Sequence, residues 1–402
     1  MIKHRMQGRV RMGRLMAATI LSGAAMTSLA HADVTLYPGN GPVPSINIYL
    51  RVDAGLRLDS NVDLSQYNSQ TGKTTLVQAG GNDWGTSMFG VYGSSKLGDN
   101  ITGIYKVESG FNATNGTFNS STNSIFNRRA YVGLKNQQFG TIMLGKDLFI
   151  DNDVYNFDPM IQENMSTATL VYGRNWGGAS DMVEYRSPAL YGLHLGLMAA
   201  FDNGSGYYST RVSNAYGVSG EYDIGDLSLY GIYDEVQDTH GHYTNLYSAS
   251  KEWIAGATYN FQPVEFFAGI EGLSAPNGAQ ADGGTPIQNP GAPYAPGSAG
   301  SPYAAVYATS AYMGWLGAVW SVSQHVTLRG AWYHTSINDH GGNASLFTAG
   351  GEYSFTPNLL LYATAGEVVN SGHADFSADI YSPPAAPGHN QFAGFVGASI
   401  KF

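Results

Sequence analysis

Apolar and polar side chains alternate along many short segments of this chain, and the clearest segment lies between residues 46 and 59. Its even positions are all apolar, from Ile46 to Leu58, whereas its odd positions include two arginines and two aspartates. A strand buried on both faces does not carry four charges on one of them, so that face contacts water. The apolar face is suited to lipid, and the segment therefore predicts a strand in the wall of a transmembrane barrel.

The last twelve residues, 391–402, repeat this pattern up to the end of the chain. Val396, Ile400 and Phe402 are apolar, while Ser399 and Lys401 fall on the other face. Soluble domains rarely end in a strand with an aromatic last residue, whereas a closed barrel must pair its last strand with its first. We therefore expect Phe402 to lie on the lipid side where the barrel closes, and to be needed for assembly.

The alternation recurs in sixteen segments after residue 45, and their connections differ in length. Seven are short polar or Gly/Pro turns, at residues 97–100, 137–140, 188–192, 223–226, 260–263, 321–324 and 355–358. Eight are longer, at residues 59–83, 113–124, 148–180, 203–211, 237–249, 274–307, 338–343 and 371–390. Short turns at one end and longer external loops at the other are typical of outer-membrane barrels. The pattern predicts an all-β fold, a 16-stranded antiparallel transmembrane β-barrel.

The composition favours such a barrel over a soluble domain or a helical membrane protein. The chain has 52 glycines, 27 tyrosines and 17 phenylalanines, and charged residues make up only 12% of it. Soluble domains usually carry about twice that share of charge. After residue 32 there is no run of about 18 apolar residues, which argues against helical spans. The absence of cysteine excludes disulfides and thiolate metal sites.

The first 32 residues have the features of a secretory signal peptide. Five basic residues precede an apolar stretch from Leu15 to Met26, and Ala30-His31-Ala32 matches a cleavage site. The apolar stretch is too short for a membrane anchor of about 20 residues. We expect cleavage after Ala32, which leaves residues 33–402 as a single barrel domain with 15 basic and 30 acidic residues. That acidic balance argues against a nucleic-acid partner.

Three internal segments and the terminal phenylalanine resemble the general diffusion porins of Gram-negative bacteria, most closely the beta-proteobacterial branch. The segments are residues 104–111 (IYKVESGF), 126–134 (FNRRAYVGL) and 139–146 (FGTIMLGK). The resemblance implies an outer-membrane channel for the passive diffusion of small hydrophilic solutes and ions. It also implies a homotrimer, contact with membrane lipid and lipopolysaccharide, and a third long loop that folds into the lumen.

The resemblance also implies a pore constriction, in which carboxylates of the third loop face a ladder of basic residues. Residues 148–180 form one of the two longest connections, and they contain four early acids: Asp151, Asp153, Asp158 and Glu163. The candidate basic residues are Arg51, Lys106, Arg186 and Arg329, from their water-facing phase, and Arg128 and Arg174, which match ladder positions of the family. The alternation leaves open whether Arg128 or its neighbour Arg129 faces the lumen.

Two features depart from the family pattern. Where relatives usually have Ser-Arg-Phe-Gly in the second strand, this chain has Met88 on the lumen phase, so one basic position is missing. The segment from Asp33 to Ser45 precedes the first recognised strand, and its three prolines argue against a central strand.

Two other functions are compatible with an outer-membrane barrel. A substrate-specific channel would stack aromatic residues along its pore, but tyrosines are also needed at the membrane interfaces. A barrel hydrolase would need a nucleophile beside a base, and the sequence has neither a Gly-x-Ser-x-Gly nor a His-Glu-x-x-His motif. We therefore expect neither catalytic residues nor a cofactor or metal site.

Overall fold

The structure is a computed structural model. It describes residues 33–64, 71–119, 124–161, 163–171, 177–201, 212–238, 241–278, 308–339, 341–372 and 374–402. The predicted signal peptide, residues 1–32, and the candidate pore residue Arg174 lie outside these ranges, so both stay predictions.

The described residues form one antiparallel sheet of eighteen strands. The first nine are β1 (Val34–Tyr37), β2 (Ile46–Asp63), β3 (Lys73–Gly81), β4 (Ser87–Lys96), β5 (Ile101–Phe111), β6 (Arg129–Asn136), β7 (Gly140–Leu148), β8 (Gly178–Arg186) and β9 (Leu193–Ala200). The other nine are β10 (Val212–Ile224), β11 (Leu227–Asp238), β12 (Lys251–Phe261), β13 (Val264–Ser274), β14 (Ser310–Ser321), β15 (Val326–Ile337), β16 (Gly342–Thr356), β17 (Leu359–Ser371) and β18 (Gln391–Lys401).

These strands occupy sixteen positions around a closed barrel, because two positions are each shared by two strands in line. β3 and β4 pair with successive parts of β2 on one edge. β18 and then β1 pair with successive parts of its other edge. Every other strand pairs with its neighbours along the chain, and the pairing of β18 with β2 closes the ring. The predicted 16-stranded antiparallel barrel is confirmed.

The segment from Asp33 to Ser45, which the sequence did not place, extends the barrel at the end where the chain closes. β1 continues the line of β18 beyond Phe402, with Val34 opposite Ile48. The three prolines fall in the connection between β1 and β2 rather than in a strand. A proline there interrupts no hydrogen bonds between central strands.

All seven predicted short turns join neighbouring antiparallel strands. Two of the longer connections are shorter than predicted. Residues 59–83 are not all loop, because β2 continues to Asp63 and β3 begins at Lys73. Threonine and glutamine on β3 weaken its apolar alternation, although β-branched threonine suits a strand. The connection at 338–343 is also short, because β16 begins at Gly342.

The two faces of the wall differ as the alternation predicts. Outward side chains such as Leu56, at 59% exposure, are apolar and open to the surroundings. Inward side chains such as Arg51 and Asp59 are buried within the barrel. None of the helices in the described ranges is long and apolar enough to cross a membrane.

Candidate functional site

The connection between β7 and β8, residues 149–177, contacts the inner face of the barrel along much of its course; we call it the inner loop. It contains a 3₁₀ helix, Ile150–Asn156, and one turn of α-helix, Thr167–Leu170. Several of its apolar side chains are fully buried: Val154, Phe157, Met160, Met165 and Leu170. A loop extending into water would leave such side chains exposed, so burial against the wall stabilises the inward course.

Aromatic stacking fixes the middle of the inner loop. The ring of Phe157 stacks on Tyr230 of β11, with centroids 4.6 Å apart, and on Trp315 of β14, at 5.9 Å. The Trp315 indole N–H donates to the Phe157 carbonyl oxygen at 3.0 Å. Such pairs contribute about 0.5–1.5 kcal/mol beyond the area they bury. Phe157 therefore joins the loop to two separate strands.

Two predicted pore acids, Asp158 and Glu163, are held by hydroxyl groups of the wall. Asp158 accepts hydrogen bonds from the Tyr333 hydroxyl at 2.5 Å and from the Thr167 backbone N–H at 2.7 Å. Glu163 accepts one from the Thr364 hydroxyl at 2.6 Å. Burial raises the pKa of Asp158 and raises that of Glu163 to about 8. Burial thus favours the neutral form of both carboxyl groups.

Asp153, in contrast, forms an ion pair with a predicted basic residue. Its carboxylate lies 2.5 Å from Arg186 Nη1 and accepts a hydrogen bond from the Ser219 hydroxyl at 2.6 Å. Arg186 Nε also lies 2.5 Å from Glu184. Asp151 is fully buried and accepts a hydrogen bond from the Asn152 side chain at 2.9 Å.

On the wall formed by β2 to β6, basic side chains surround one buried carboxylate, Glu108. Lys106 Nζ lies 3.4 Å from it, Arg128 Nε 2.7 Å and Arg129 Nη1 3.6 Å. The Tyr49 hydroxyl donates to it at 2.5 Å. Both arginines of the pair therefore reach the inner face, Arg128 from just before β6 and Arg129 from its first position.

Two further predicted basic residues, Arg51 and Arg329, contact connections between strands. Arg51 contacts the connection between β3 and β4, and Arg329 contacts the inner loop. Arg51 Nε donates to the Thr86 carbonyl at 2.7 Å, and its guanidinium lies 5.7 Å from the Trp84 ring centroid. Arg329 Nε lies 2.7 Å from Glu352, and its Nη1 donates to the Pro159 carbonyl of the inner loop at 3.2 Å.

A cavity of about 140 Å³ lies between the first half of the inner loop and the wall from β7 to β11. Charges of both signs line it, among them Arg129, Asp147, Asp153, Glu184 and Arg186. Among the described residues, no group of three histidine or acidic side chains is arranged to hold a metal ion. Because its lining carries charges of both signs, the cavity is suited to water and polar solutes.

Residues 17–373 match the family model of Gram-negative porins. The chain belongs to the Gram-negative porin family. It is an outer-membrane barrel protein, as the apolar outer face and the family together require.

This porin is similar to an outer membrane porin protein of Bordetella pertussis, with 25% identity over 267 residues. The aligned region covers 62% of this chain and 66% of that relative, slightly less than two thirds of its length. Its fold is similar to that of an anion-selective porin from Comamonas acidovorans, with a TM-score of 0.69, 18% identity, and coverage of 89% of this chain and 100% of that one. The trimer form of Vibrio cholerae OmpT gives a TM-score of 0.60 at 13% identity, with coverage of 89% and 99%.

Sequence reasoning missed the wall acids of this porin. Glu108, Asp147 and Glu184 each pair with a basic side chain of the inner face. Glu108 could have been found, because it lies two positions after Lys106 and so shares its water-facing phase. Met88 is buried on the inner face of β4, opposite Arg51 in the strand pairing.

Proposed function

We propose that this porin forms a water-filled channel for the passive diffusion of small hydrophilic solutes and ions across the outer membrane. The observation that carries the proposal is the contrast between its faces. Charged side chains of both signs line the inner face around the inner loop, while the outer face is apolar. An apolar exterior with a polar interior is what a channel in lipid requires.

The inner loop and the basic wall would form the constriction. Arg51, Lys106, Arg128 and Arg186 supply positive charge on the wall, with Arg174 as the family-based fifth position. Asp153, which lines the cavity, supplies a carboxylate on the loop. Asp151 is fully buried in the loop, while Asp158, Glu163 and Arg329 hold the loop against the wall. Charges separated by less than one Debye length, about 8 Å in physiological salt, are poorly screened from each other and from a passing solute. Their field orients dipolar solutes and disfavours apolar ones.

The assembly that best fits these features is a homotrimer embedded in lipid and lipopolysaccharide. The support is the trimer form of the structurally similar Vibrio cholerae protein. A continuous apolar outer face also gives subunits and lipid a surface to contact. The acidic balance of residues 33–402, the proposed single barrel domain, does not favour nucleic acid.

A general porin is also favoured over an enzyme. Carboxylates of the constriction pair with arginines, as Glu108 does with Arg128 and Asp153 with Arg186, or accept a hydrogen bond from a wall hydroxyl, as Asp158 does from Tyr333, and the family match is to porins. An enzyme needs a base within hydrogen-bonding reach of a reacting group.

Single-channel recording in planar bilayers tests the proposal. A general porin should give a large ohmic conductance that rises with salt concentration and is not blocked by low-micromolar sugars or amino acids. Block by one solute at such concentrations would favour the substrate-specific channel. Electrically silent protein with intact β-structure would contradict both channel functions.

A further inference from the structure

A second connection also contacts the inner face of the barrel: residues 374–390, between β17 and β18, which we call the strap. Sequence reasoning assigned it to the external loops. Five of its side chains are at most 1% exposed: Ala374, Phe376, Ala378, Asp379 and Ala385. Such burial shows that the strap folds back over the barrel mouth rather than extending into water.

Two inward-facing amides on the strands that flank the strap, Asn370 and Gln391, hold it in place. The Asn370 side chain donates to the Phe376 carbonyl at 2.9 Å and accepts from the Phe376 N–H at 3.2 Å. The Gln391 side chain donates to the Pro383 carbonyl and accepts from the Ala378 N–H, both at 2.8 Å. Because both amides are buried and doubly bonded, releasing the strap would leave buried polar groups unsatisfied.

The middle of the strap is held by charges on β2. Asp379 accepts hydrogen bonds from its own neighbours, Tyr381 N–H and the Ser382 hydroxyl, both at 2.7 Å. Arg57 Nε lies 3.6 Å from the same carboxylate. The Ser382 hydroxyl also contacts Asp59. These contacts fix the position of the side chain between them, Tyr381.

Tyr381 lies where the strap meets the basic wall, and its side chain is partly exposed. Its ring centroid is 5.5 Å from the Arg57 guanidinium, and its side chain is 42% exposed. Together with Thr86, Arg128 and Leu148 it lines a gap of about 20 Å³. A gap of that size holds about one water molecule. Tyr381 therefore reaches the basic wall and leaves space for about one water molecule beside Arg128.

We propose that the Tyr381 side chain limits the size of the solutes that can pass, in addition to the constriction formed by the inner loop. The strap places Tyr381 on the external side of the basic wall. A solute entering from outside meets its ring before it reaches Arg128 and the inner loop. The Tyr381 ring excludes solutes by their size rather than by their charge, because the neighbouring Arg57 is already paired with Asp83 and Asp379. This inference rests on the proposed channel function.

Liposome swelling with neutral sugars of increasing size tests the inference. Replacing Tyr381→Ala should raise the swelling rate about twofold or more for a trisaccharide and leave the rate for a pentose nearly unchanged. Tyr381→Phe keeps the ring and should behave as the wild-type protein. Tyr191→Ala is the matched control, because Tyr191 is fully exposed in a turn at the opposite end of the barrel.

The outcomes separate this inference from the proposed function. Folding is checked first, by the heat-dependent mobility of the folded barrel in detergent gels. If the wild-type protein admits not even the pentose, the channel function fails. If the wild-type protein admits the pentose and Tyr381→Ala changes nothing, or raises the rates for all sugars equally, Tyr381 does not select by size.

Discussion

Asp83 lies in the connection between β3 and β4 and accepts two hydrogen bonds from Asn164 of the inner loop. These bonds fix the inner loop to that connection. The Asn164 backbone N–H donates to the Asp83 carbonyl at 3.0 Å, and its side chain donates to Asp83 Oδ1 at 3.2 Å. Asp83 also pairs with Arg57, which in turn pairs with Asp379 of the strap. The two connections that fold into the barrel therefore meet at a single arginine.

Replacing Arg57→Gln should loosen both connections at once. Asp83 and Asp379 are fully buried, and removing their shared cation leaves two uncompensated carboxylates. Breaking a buried ion pair in this way costs about 3–5 kcal/mol. We expect a lower thermal unfolding temperature and a higher, noisier single-channel conductance. Arg57→Lys is the control, because it keeps the positive charge. If the glutamine variant unfolds and conducts as the wild type does, the arginine does not join the two connections.

The ion pair between Asp153 and Arg186 should influence charge selectivity. Asp153→Asn leaves Arg186 with Glu184 as its remaining acidic contact, which makes the local potential more positive. The reversal potential in a salt gradient should move toward anions, whereas Arg186→Gln should move it toward cations. Both shifts should grow at low ionic strength, where screening is weaker.

The control for this pair is Asp226→Asn, because Asp226 is exposed in the turn between β10 and β11. Removing its charge should leave the reversal potential almost unchanged. Shifts of equal size for Asp153→Asn and Asp226→Asn would mean that net charge, rather than the constriction, sets selectivity.

Glu163 should make selectivity depend on pH. Its pKa is raised to about 8 mainly by burial, with Arg329 acting in the opposite direction and Glu352 adding to the rise. Because burial raises the folded-state pKa above the unfolded value, the neutral carboxyl favours the folded state at low pH, although the Thr364 hydroxyl, which donates to Glu163, acts in the opposite direction. That stabilisation decreases as pH rises from the unfolded pKa through about 8. The new negative charge should also move selectivity toward cations.

Reversal potentials measured between pH 6 and pH 9 would show this titration. Glu163→Gln keeps the hydrogen bond with Thr364 but cannot ionise, so its profile should lack the step near pH 8 that the wild type shows. Identical profiles for the two proteins would assign any step to other groups.

The wall was predictable from the sequence because lipid and water impose opposite demands on alternate residues. That rule identified the inward phase of Arg51 and the outward phase of Leu56 without knowledge of any contact. It weakened where both faces carry small or polar side chains, as on β3. It could not place β1, because a four-residue strand is too short to show a period.

The partners of the pore residues were not predictable in the same way. Asp158 is held by Tyr333 and Glu163 by Thr364, residues distant along the chain, and phase alone does not specify which inward groups meet. The strap was assigned to the external loops for a related reason. Its prolines and small residues indicate a loop, but its inward course depends on Asn370, Gln391 and Arg57.

Phe402 should be needed for assembly rather than for conduction. Its side chain is 43% exposed on the outer face, and its backbone N–H and carbonyl pair with Leu50 at 2.9 and 2.6 Å, where the barrel closes. Deleting it removes both hydrogen bonds, and Phe402→Asp places a charge against lipid, which costs up to a few kcal/mol at the membrane core and less near its surface. Phe402→Leu is the control. We expect reduced amounts of the first two variants in the outer membrane and wild-type conductance from the channels that do assemble. Wild-type surface levels of the truncated chain would show that closure does not depend on this residue.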